Sequence, residues 1–246
     1  MGEVERAAAD GEQSAAQPAQ RDIGLLCDLT REQLRDELRG MGQPAYRADQ
    51  VWQWVYSSLV GDYATMHNVP QELLTALARV ALFPGLEETA RVASRDKRSF
   101  KSLFMLRDGE TIESVLMRYD RRMTVCVSTQ VGCAIGCPFC ATGRSGFRRD
   151  LSAGEIIEQV LFSGRELQAR GKRVTNVVFM GMGEPLLNYE RTLQSIATLN
   201  DERGLALGAR HMTISTAGIV PGIDRLATEP WQVGLSVSLH AAEDAL

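Results

Sequence analysis

Three cysteines that lie close together are the residues whose types and spacing most clearly point to chemistry. Cys133, Cys137 and Cys140 form a Cys-x3-Cys-x2-Cys run, whereas Cys126 and Cys27 lie upstream of it. Thiolates are the soft ligands that iron–sulfur clusters and zinc prefer, so the run predicts a metal centre held by one loop. Three protein ligands would leave one iron of a four-iron cluster open, and an open iron can chelate a substrate.

A structural zinc site is the alternative interpretation of the same run, with Cys126 as a fourth thiolate ligand. Zinc sites usually combine two close Cys-x2-Cys or Cys/His units, and this sequence has no second unit near the first. Cys126 also stands inside a predicted strand, seven residues before the loop. The cluster is therefore the expected centre, and zinc stays open as the second hypothesis.

The composition limits the kind of protein that could carry this centre. The chain has 246 residues, of which 44% are hydrophobic and 24% charged, and these fractions are typical of a globular protein with a sizeable core. It contains no apolar run of about 18 residues, which excludes a predicted membrane span. The N-terminus lacks the basic-then-apolar order of a secretory signal, so we expect a cytoplasmic protein whose clustered cysteines bind metal.

The basic residues are concentrated around the cysteine run. Residues 91–149 contain twelve basic and five acidic side chains, a net charge of +7. The whole chain has a net charge of −4, so the rest of it carries −11. A basic segment around a metal motif is typical of a protein that binds a polyanion such as nucleic acid. A set of solvated surface arginines is the alternative.

Hydrophobic periodicity divides the chain into four parts that must position these residues. Residues 1–22 have no apolar periodicity and are predicted to be a disordered tail. Residues 23–88 are predicted to form a small domain of three helices. Residues 89–122 are predicted to be a β-hairpin linker, and residues 123–246 an α/β core domain.

Local signals mark several element boundaries. Capping boxes at Thr30 and Ser152 predict the N-termini of two helices. Helical spacing of apolar residues predicts further helices from about Ala45 and from Pro70. Asp108-Gly109, between two runs with period-two alternation, predicts a hairpin turn.

The α/β core is predicted to curve into a barrel. Predicted strands at 123–128, 174–180, 211–215 and 232–240 alternate with helices, which is the pattern of parallel βαβ units. These strands carry small or polar residues on one face, whereas a parallel sheet covered by helices on both sides would be apolar on both. We therefore expect the polar faces to line a cavity, with the functional residues at the carboxyl ends of the strands.

The sequence resembles the radical S-adenosylmethionine enzymes in two places. The cysteine run with Phe139 before its last cysteine is similar to the signature of that family, and Gly181-Met-Gly-Glu-Pro185 is similar to its glycine-rich motif. The resemblance implies a 4Fe-4S cluster held by Cys133, Cys137 and Cys140, with its open iron chelated by S-adenosylmethionine. It also implies the α/β fold of that family, a (β/α)6 barrel of which about four of six strands are present.

Further motifs are similar to one subfamily, the adenine-C2 RNA methyltransferases. They are Arg122–Cys133, Gly181–Asn188, Thr213–Gly218 and Ser238–His240, and the resemblance extends over residues 23–246. It also implies that the helical domain is an RNA-binding accessory domain.

Carried over position by position, this resemblance implies roles for eight further residues. Glu113 corresponds to the proton acceptor and Cys126 to one of two mechanistic cysteines. Without the resemblance, Glu113 would be interpreted as an exposed strand carboxylate and Cys126 as a buried structural cysteine. The residues that would contact S-adenosylmethionine are Gly183, Glu184, Ser215, Ser238, Leu239 and His240.

The implied reaction methylates C2 of an adenine in 23S rRNA and of an adenine next to the anticodon in tRNA. It uses two S-adenosylmethionine molecules per turnover: one methylates a C-terminal cysteine, and the other supplies the radical that activates this methyl group. Release of the product leaves a disulfide. The implied partners are 23S rRNA, tRNA and a flavodoxin-type electron donor, and we expect a monomer.

Two alternatives stay open at this point. A closely related resistance enzyme methylates C8 of the same adenine, and the shared motifs do not separate C2 from C8. The other alternative is a zinc-stabilised RNA-binding module without catalysis.

The sequence departs from the subfamily at its C-terminal end. The family continues through two further strands to the methyl-carrying cysteine and a further asparagine ligand, whereas no cysteine follows Cys140 here. We therefore expect a fragment of a longer protein that could bind a cluster but would not methylate RNA by itself.

Overall fold

The computed structural model describes residues 24–239 and residue 241 of the chain. The disordered tail predicted for residues 1–22 and the predicted cofactor contact His240 lie outside these described residues. From the end of the hairpin onward, strands and helices alternate as predicted for the core.

The regular elements are numbered here in chain order. The α-helices are α1 Arg31–Gly40, α2 Tyr46–Tyr56, α3 Gln71–Ala78, α4 Ala141–Arg144, α5 Ala153–Gln168, α6 Tyr189–Asn200 and α7 Val220–Leu226. The strands are β1 Gly24–Leu25, β2 Ala81–Leu82, β3 Glu87–Ala93, β4 Ser99–Met105, β5 Thr111–Arg118, β6 Met123–Cys126, β7 Gln130–Gly132, β8 Phe147–Asp150, β9 Asn176–Phe179, β10 Met212–Thr216 and β11 Gly234–Val237. Short 3-10 helices are Leu26–Asp28, Tyr63–Thr65 and Ala209–His211.

The helix signals near the N-terminus are confirmed. Gln33 N donates to Thr30 Oγ1 over 3.2 Å, and Thr30 N donates to Gln33 Oε1 over 2.8 Å, which together form the predicted capping box of α1. α2 and α3 each begin one residue after the predicted position. Leu34 and Leu38, four residues apart on α1, are both buried because they lie on the same face of the helix.

One seven-stranded sheet connects the hairpin to the barrel strands. Its order is β11-β10-β9-β6-β5-β4-β3. β6, β9, β10 and β11 pair in parallel, as predicted, whereas the pairs from β3 to β6 are antiparallel. The four parallel strands form the predicted partial barrel. Because Leu116 of β5 lies opposite Val125 of β6, the hairpin continues the barrel sheet.

The two faces of β10 differ as predicted, whereas on β11 the apolar side chains Leu235 and Val237 are 42% and 48% exposed. Val125, Val177 and Ile214, on three neighbouring strands, are fully buried in the hydrophobic core. Thr213 and Ser215 lie on the other face of β10 and are only partly buried. The apolar residues therefore hold β6, β9 and β10 to the core, and the polar face of β10 is left for a cavity.

The sequence pattern does not predict the three strands β3, β7 and β8. β3 lies at the edge of the sheet and most of its side chains are exposed, so it lacks the alternation of a half-buried strand. β7 and β8 are only three and four residues long, and they pair with each other on either side of the cysteine loop. All three strands depend on backbone pairing with a neighbouring strand, and apolar periodicity does not reveal such pairing.

The longest helix, α5, begins at the second predicted capping box. Glu155 N donates to Ser152 Oγ over 3.2 Å, and Ser152 N donates to Glu155 Oε2 over 2.9 Å. Ile156 and Ile157 are fully buried in the core. Across the described residues, neither this helix nor any other combines the length and the apolar character that crossing a membrane requires.

Candidate active site

A cavity of about 240 Å³ lies at the carboxyl ends of the parallel strands β9, β10 and β11, beside the cysteine loop. It contains seven of the residues that the sequence predicts for the site: the three clustered cysteines, the glycine and glutamate of the turn after β9, and two serines. The residues that line it are Cys133, Ile135, Cys137, Phe139, Cys140, Phe179, Met180, Gly181, Gly183, Glu184, Ser215, Thr216, Ala217 and Ser238.

The cysteine loop is closed by a very close backbone approach. Gly132 has a φ of +74°, and a Cβ atom at this position would lie 1.8 Å from the carbonyl oxygen of Gly146. Cys133 N donates a hydrogen bond to the same oxygen over 3.1 Å. Only glycine tolerates both the positive φ and the contact, so this residue type fixes where the loop between β7 and β8 closes.

The three loop thiols are a donor set of the kind that binds an iron–sulfur cluster. All three line one cavity and are partly exposed. Among the described residues, no three His, Cys, Asp or Glu side chains are placed to hold one metal ion. Zinc needs its thiolates at about 2.3 Å, whereas a four-iron cluster spreads its ligands over separate iron atoms. The donor set, three thiols of one loop that line the same cavity, therefore fits the 4Fe-4S cluster.

The other two cysteines do not complete a zinc site or a disulfide. Cys126, the fourth ligand of the zinc hypothesis, does not belong to the cavity wall. All five cysteines are free. The disulfide expected from the implied reaction cycle is therefore not a feature of this structure, because no second cysteine is bonded to Cys126.

The turn after β9 packs closely against the segment from Val127 to Gln130, which follows β6 and includes the first residue of β7. A Cβ atom on Gly181 would lie 2.7 Å from the carbonyl oxygen of Val127. Gly183 has a φ of +99°, and a Cβ atom there would lie 2.6 Å from Cβ of Gln130. Both glycines are thus required by close approach, and they bring this turn beside the cysteine loop.

Glu184 is buried, with 3% of its surface exposed. Its Oε1 accepts from Leu186 N over 3.1 Å and its Oε2 accepts from Ala217 N over 2.7 Å. Its own N–H donates to Gln130 Oε1 over 2.8 Å. The carboxylate therefore ties the turn after β9 to the loop after β10, and two of its acceptor positions are already occupied by the protein.

Of the remaining predicted cofactor contacts, two line the cavity and one does not. Ser215 on β10 and Ser238 after β11 both line the cavity. Ser238 is positioned by its N–H, which donates to the Thr216 carbonyl over 2.9 Å. Leu239 is 78% exposed and is not part of the cavity wall.

Cys126 is the last residue of β6 and is not one of the residues that line the cavity. Burial raises the pKa of its thiol to about 11, and a hydrogen bond from the Met180 backbone opposes this rise to a smaller extent. Since Met180 itself lines the cavity, Cys126 lies one residue away from it. The thiol is therefore protonated at neutral pH.

Glu113 lies on β5, on the same face of the sheet as Cys126. Cys126 faces Val115 in the antiparallel register, and Glu113 is two residues from Val115. The Glu113 side chain is 44% exposed, and its Oε1 lies 2.8 Å from Lys101 Nζ. The structure thus places Glu113 and Cys126 on one face, beside the cavity rather than in its wall.

Two buried polar residues that the sequence analysis did not single out connect these parts. Ser128 Oγ donates to the Glu113 carbonyl over 2.6 Å and accepts from Met182 N over 2.8 Å. Gln130 holds Glu184 through its Oε1, and its Nε2 donates to Asp150 over 2.8 Å. Polar residues inside a run of buried positions were the available signal, because buried polar groups need hydrogen-bond partners.

Two family models match separate parts of the chain. Residues 25–83 match the model described as "Ribosomal RNA large subunit methyltransferase N-terminal domain", and residues 127–246 match the model described as "Radical SAM superfamily".

Curated proteins and a solved structure are similar over most of the chain. A "Probable dual-specificity RNA methyltransferase RlmN" from Dictyoglomus thermophilum is 46% identical over 87% of this chain and 61% of its own length. "Dual-specificity RNA methyltransferase RlmN 1" from Myxococcus xanthus is 47% identical over 89% and 61%. A crystal structure of a radical SAM methyltransferase from Sphaerobacter thermophilus matches with a TM-score of 0.86 and 48% identity, over 88% of this chain and 64% of that one. The chain therefore spans about three fifths of the length of these relatives.

Proposed function

Because the chain belongs to the radical SAM superfamily and, within it, to the family of the RlmN RNA methyltransferases, we propose that the whole protein methylates C2 of adenine in RNA. The observation that carries this proposal is the shared cavity: the three-thiol loop and the Gly-Met-Gly-Glu-Pro turn line it together at the carboxyl ends of parallel strands. The proposed substrates are an adenine of 23S rRNA and an adenine beside the anticodon in tRNA.

In the proposed enzyme, Cys133, Cys137 and Cys140 hold a 4Fe-4S cluster through three thiolates. When bound, such a cluster supplies the electron that cleaves S-adenosylmethionine and begins radical chemistry. Three protein ligands leave one iron for S-adenosylmethionine to chelate, and two molecules of it are used per turnover. A flavodoxin-type electron donor and a monomeric enzyme belong to the same proposal.

We assign S-adenosylmethionine to the same cavity. Gly183 has no side chain, so the ligand can approach the backbone there. Ser215 and Ser238 offer hydroxyl groups from the cavity wall, and Glu184 keeps free lone pairs that could accept from an ammonium. Leu239 and His240 are carried over from the resemblance alone.

Glu113 and Cys126 are assigned to the later steps. Glu113 accepts the proton from C2 of adenine, and the Lys101 ion pair holds its carboxylate in place on the sheet. Cys126 Sγ then attacks the sulfur of the methyl-carrying cysteine: the S–S bond forms, the bond from that sulfur to the methylene carbon breaks, and this carbon takes up a proton to become the methyl group of the released product. Since burial raises the pKa of Cys126 to about 11, this attack requires removal of the thiol proton. That the 246 residues alone do not methylate RNA stays a prediction.

Mass spectrometry of nucleosides tests the proposal. We expect 2-methyladenosine in 23S rRNA and tRNA from cells that express the complete gene and lack their own copy of this activity. It should disappear with Cys137→Ala and persist with Cys27→Ala, because Cys27 is buried elsewhere, in the core around the N-terminal helices. Detection of 8-methyladenosine instead would show that the protein methylates C8 of adenine and not C2. Absence of both products would contradict the proposal and favour the RNA-binding module.

A further inference from the structure

A second cleft lies at the opposite ends of the parallel strands. Its volume is about 610 Å³, and it lies where β9 and β10 begin, next to the turn that precedes β6. The residues that line it are Arg121, Arg122, Arg173, Val174, Thr175, Asn176, Leu205, Ala206, Leu207, Gly208 and His211. Asn176 in this cleft begins β9, and Gly181 in the cofactor cavity follows two residues after the end of β9. The two residues are roughly 16 Å apart at the usual rise per extended residue.

The cleft presents positive charge and hydrogen-bond donors without acidic residues. Arg121, Arg122, Arg173 and His211 are all exposed, and no carboxylate is among the lining residues. Asn176 Oδ1 accepts a hydrogen bond from Thr175 Oγ1 over 2.9 Å. This bond uses the amide oxygen of Asn176 and does not use its N–H donors.

Two of these arginines, Arg121 and Arg173, differ from several arginines whose charge the fold neutralises. Arg91 and Arg149 form ion pairs with glutamates of α5, and Arg98 pairs with Asp120. By contrast, within residues 24–239 the side chains of Arg121 and Arg173 have neither an ion pair nor a hydrogen bond. The cleft thus brings together two arginines that no acidic side chain neutralises, from segments that are about fifty residues apart in the chain.

We propose that this cleft binds the phosphodiester backbone of the RNA, as a positioning contact remote from the cofactor cavity; the inference rests on the proposed function. Guanidinium groups match phosphate oxygens through paired hydrogen bonds. The cleft is open and its cations are solvated, so a single small anion would gain only a screened attraction. A polyanion that also occupies the rest of the protein gains from every phosphate contact at once. Such contacts set the orientation of the RNA and carry no base specificity.

Binding of fluorescently labelled tRNA to the 246-residue protein at several potassium chloride concentrations tests this proposal. Arg121→Gln and Arg173→Gln should each weaken binding and reduce the slope of log K against log salt by roughly 0.7–0.9, the contribution of one phosphate contact. Arg191→Gln is the matched control: it removes the same charge from an exposed position on α6, where Arg191 contacts only Gln194. It should leave both quantities unchanged.

Three results would overturn the proposal. They are cleft variants that bind tRNA like Arg191→Gln, a wild-type protein that does not bind tRNA, and displacement of tRNA by inorganic phosphate at constant ionic strength, which would indicate a small-anion site. Iron content after anaerobic reconstitution is measured on the same variants and should not change. Loss of RNA binding with the cluster intact therefore separates this inference from the proposed function, whose failure would appear first in the wild-type iron content.

Discussion

The two ends of the same parallel strands carry different types of residue. At the carboxyl ends, the cofactor cavity combines sulfur, glycines in close backbone contact and one buried carboxylate, Glu184. At the amino ends, the cleft combines exposed arginines that other protein groups do not neutralise, Arg121 and Arg173 among them. The cofactor cavity, whose chemistry needs a fixed geometry, is therefore formed by segments in close backbone contact. The cleft, which would attract a polyanion over a longer range, is formed by side chains exposed to water.

This difference predicts opposite responses to substitution. At the cavity, a change of one atom collides with backbone or leaves a buried hydrogen-bonding group unpaired, so stability should fall. At the cleft, a change of charge should alter binding of a polyanion and leave stability almost unchanged.

The largest effect is expected at the glycine that closes the cysteine loop. Gly132→Ala introduces a Cβ 1.8 Å from the Gly146 carbonyl oxygen at a φ of +74°, and we expect a loss of at least about 3 kcal/mol in the free energy of unfolding. Gly136→Ala is the control in the same loop, since φ is +67° there but nothing lies within 4 Å; it should cost only about 1 kcal/mol. Urea denaturation measures both. Equal losses would show that the close contact does not hold the loop.

The second effect concerns the thiol of Cys126, at the carboxyl end of β6 beside the cofactor cavity. Because the pKa of Cys126 is raised from 9.0 to about 11, its thiolate fraction at pH 8 should be lower by a factor of about 100 than in the unfolded chain. Alkylation of Cys126 by iodoacetamide, followed by peptide mass spectrometry, should therefore be slow in the native protein. Its rate should rise about tenfold per pH unit up to pH 10. A native rate at pH 8 equal to that in urea would refute the burial of this thiol.

A smaller effect is expected from exchanging a carboxylate for an amide at the cavity. Glu184→Gln replaces one of the two oxygens that accept backbone N–H groups by an N–H2 group, so one buried donor loses its partner. We expect a loss of about 1–3 kcal/mol. Glu113→Gln makes the same exchange at a half-exposed ion pair and should cost less than about 1 kcal/mol. If thermal denaturation ranks the two the other way round, the role of Glu184 in joining the turns is wrong.

The smallest effect on stability is expected at the cleft. Arg173→Gln should change the free energy of unfolding by no more than about 0.5 kcal/mol, because the side chain is exposed. The same variant should reduce the salt dependence of RNA binding. A large loss of stability on urea denaturation would mean that the cleft is structural and would remove the contrast between the two ends.

Local signals predict much of the fold. The capping boxes at Thr30 and Ser152 place the N-termini of α1 and α5 at the observed residues, because a reciprocal pair of hydrogen bonds needs only four neighbouring residues. The parallel order of the barrel strands follows from their alternation with helices. β3 is missed because an exposed edge strand has no apolar alternation to detect.

The candidate site likewise contains residues that the sequence predicts and residues that it does not. The cysteine run and the glycine turn are readable because each is contiguous in sequence. Ser128 and Gln130 act through partners 15 to 54 residues away, and the cleft joins Arg121 to Arg173. Such contacts depend on how the strands are arranged, and spacing along the chain does not reveal them.

The central claim is that the carboxyl ends of these strands hold an iron–sulfur cluster. Its most direct test is the iron content and visible absorption of the protein after anaerobic reconstitution with iron and sulfide. The wild type and Cys27→Ala should bind about four iron atoms per chain and show sulfur-to-iron charge-transfer absorption, and Cys133→Ala should lose both. A wild type that binds one zinc ion and no cluster, or a Cys133→Ala variant that keeps the full absorption, would contradict the account.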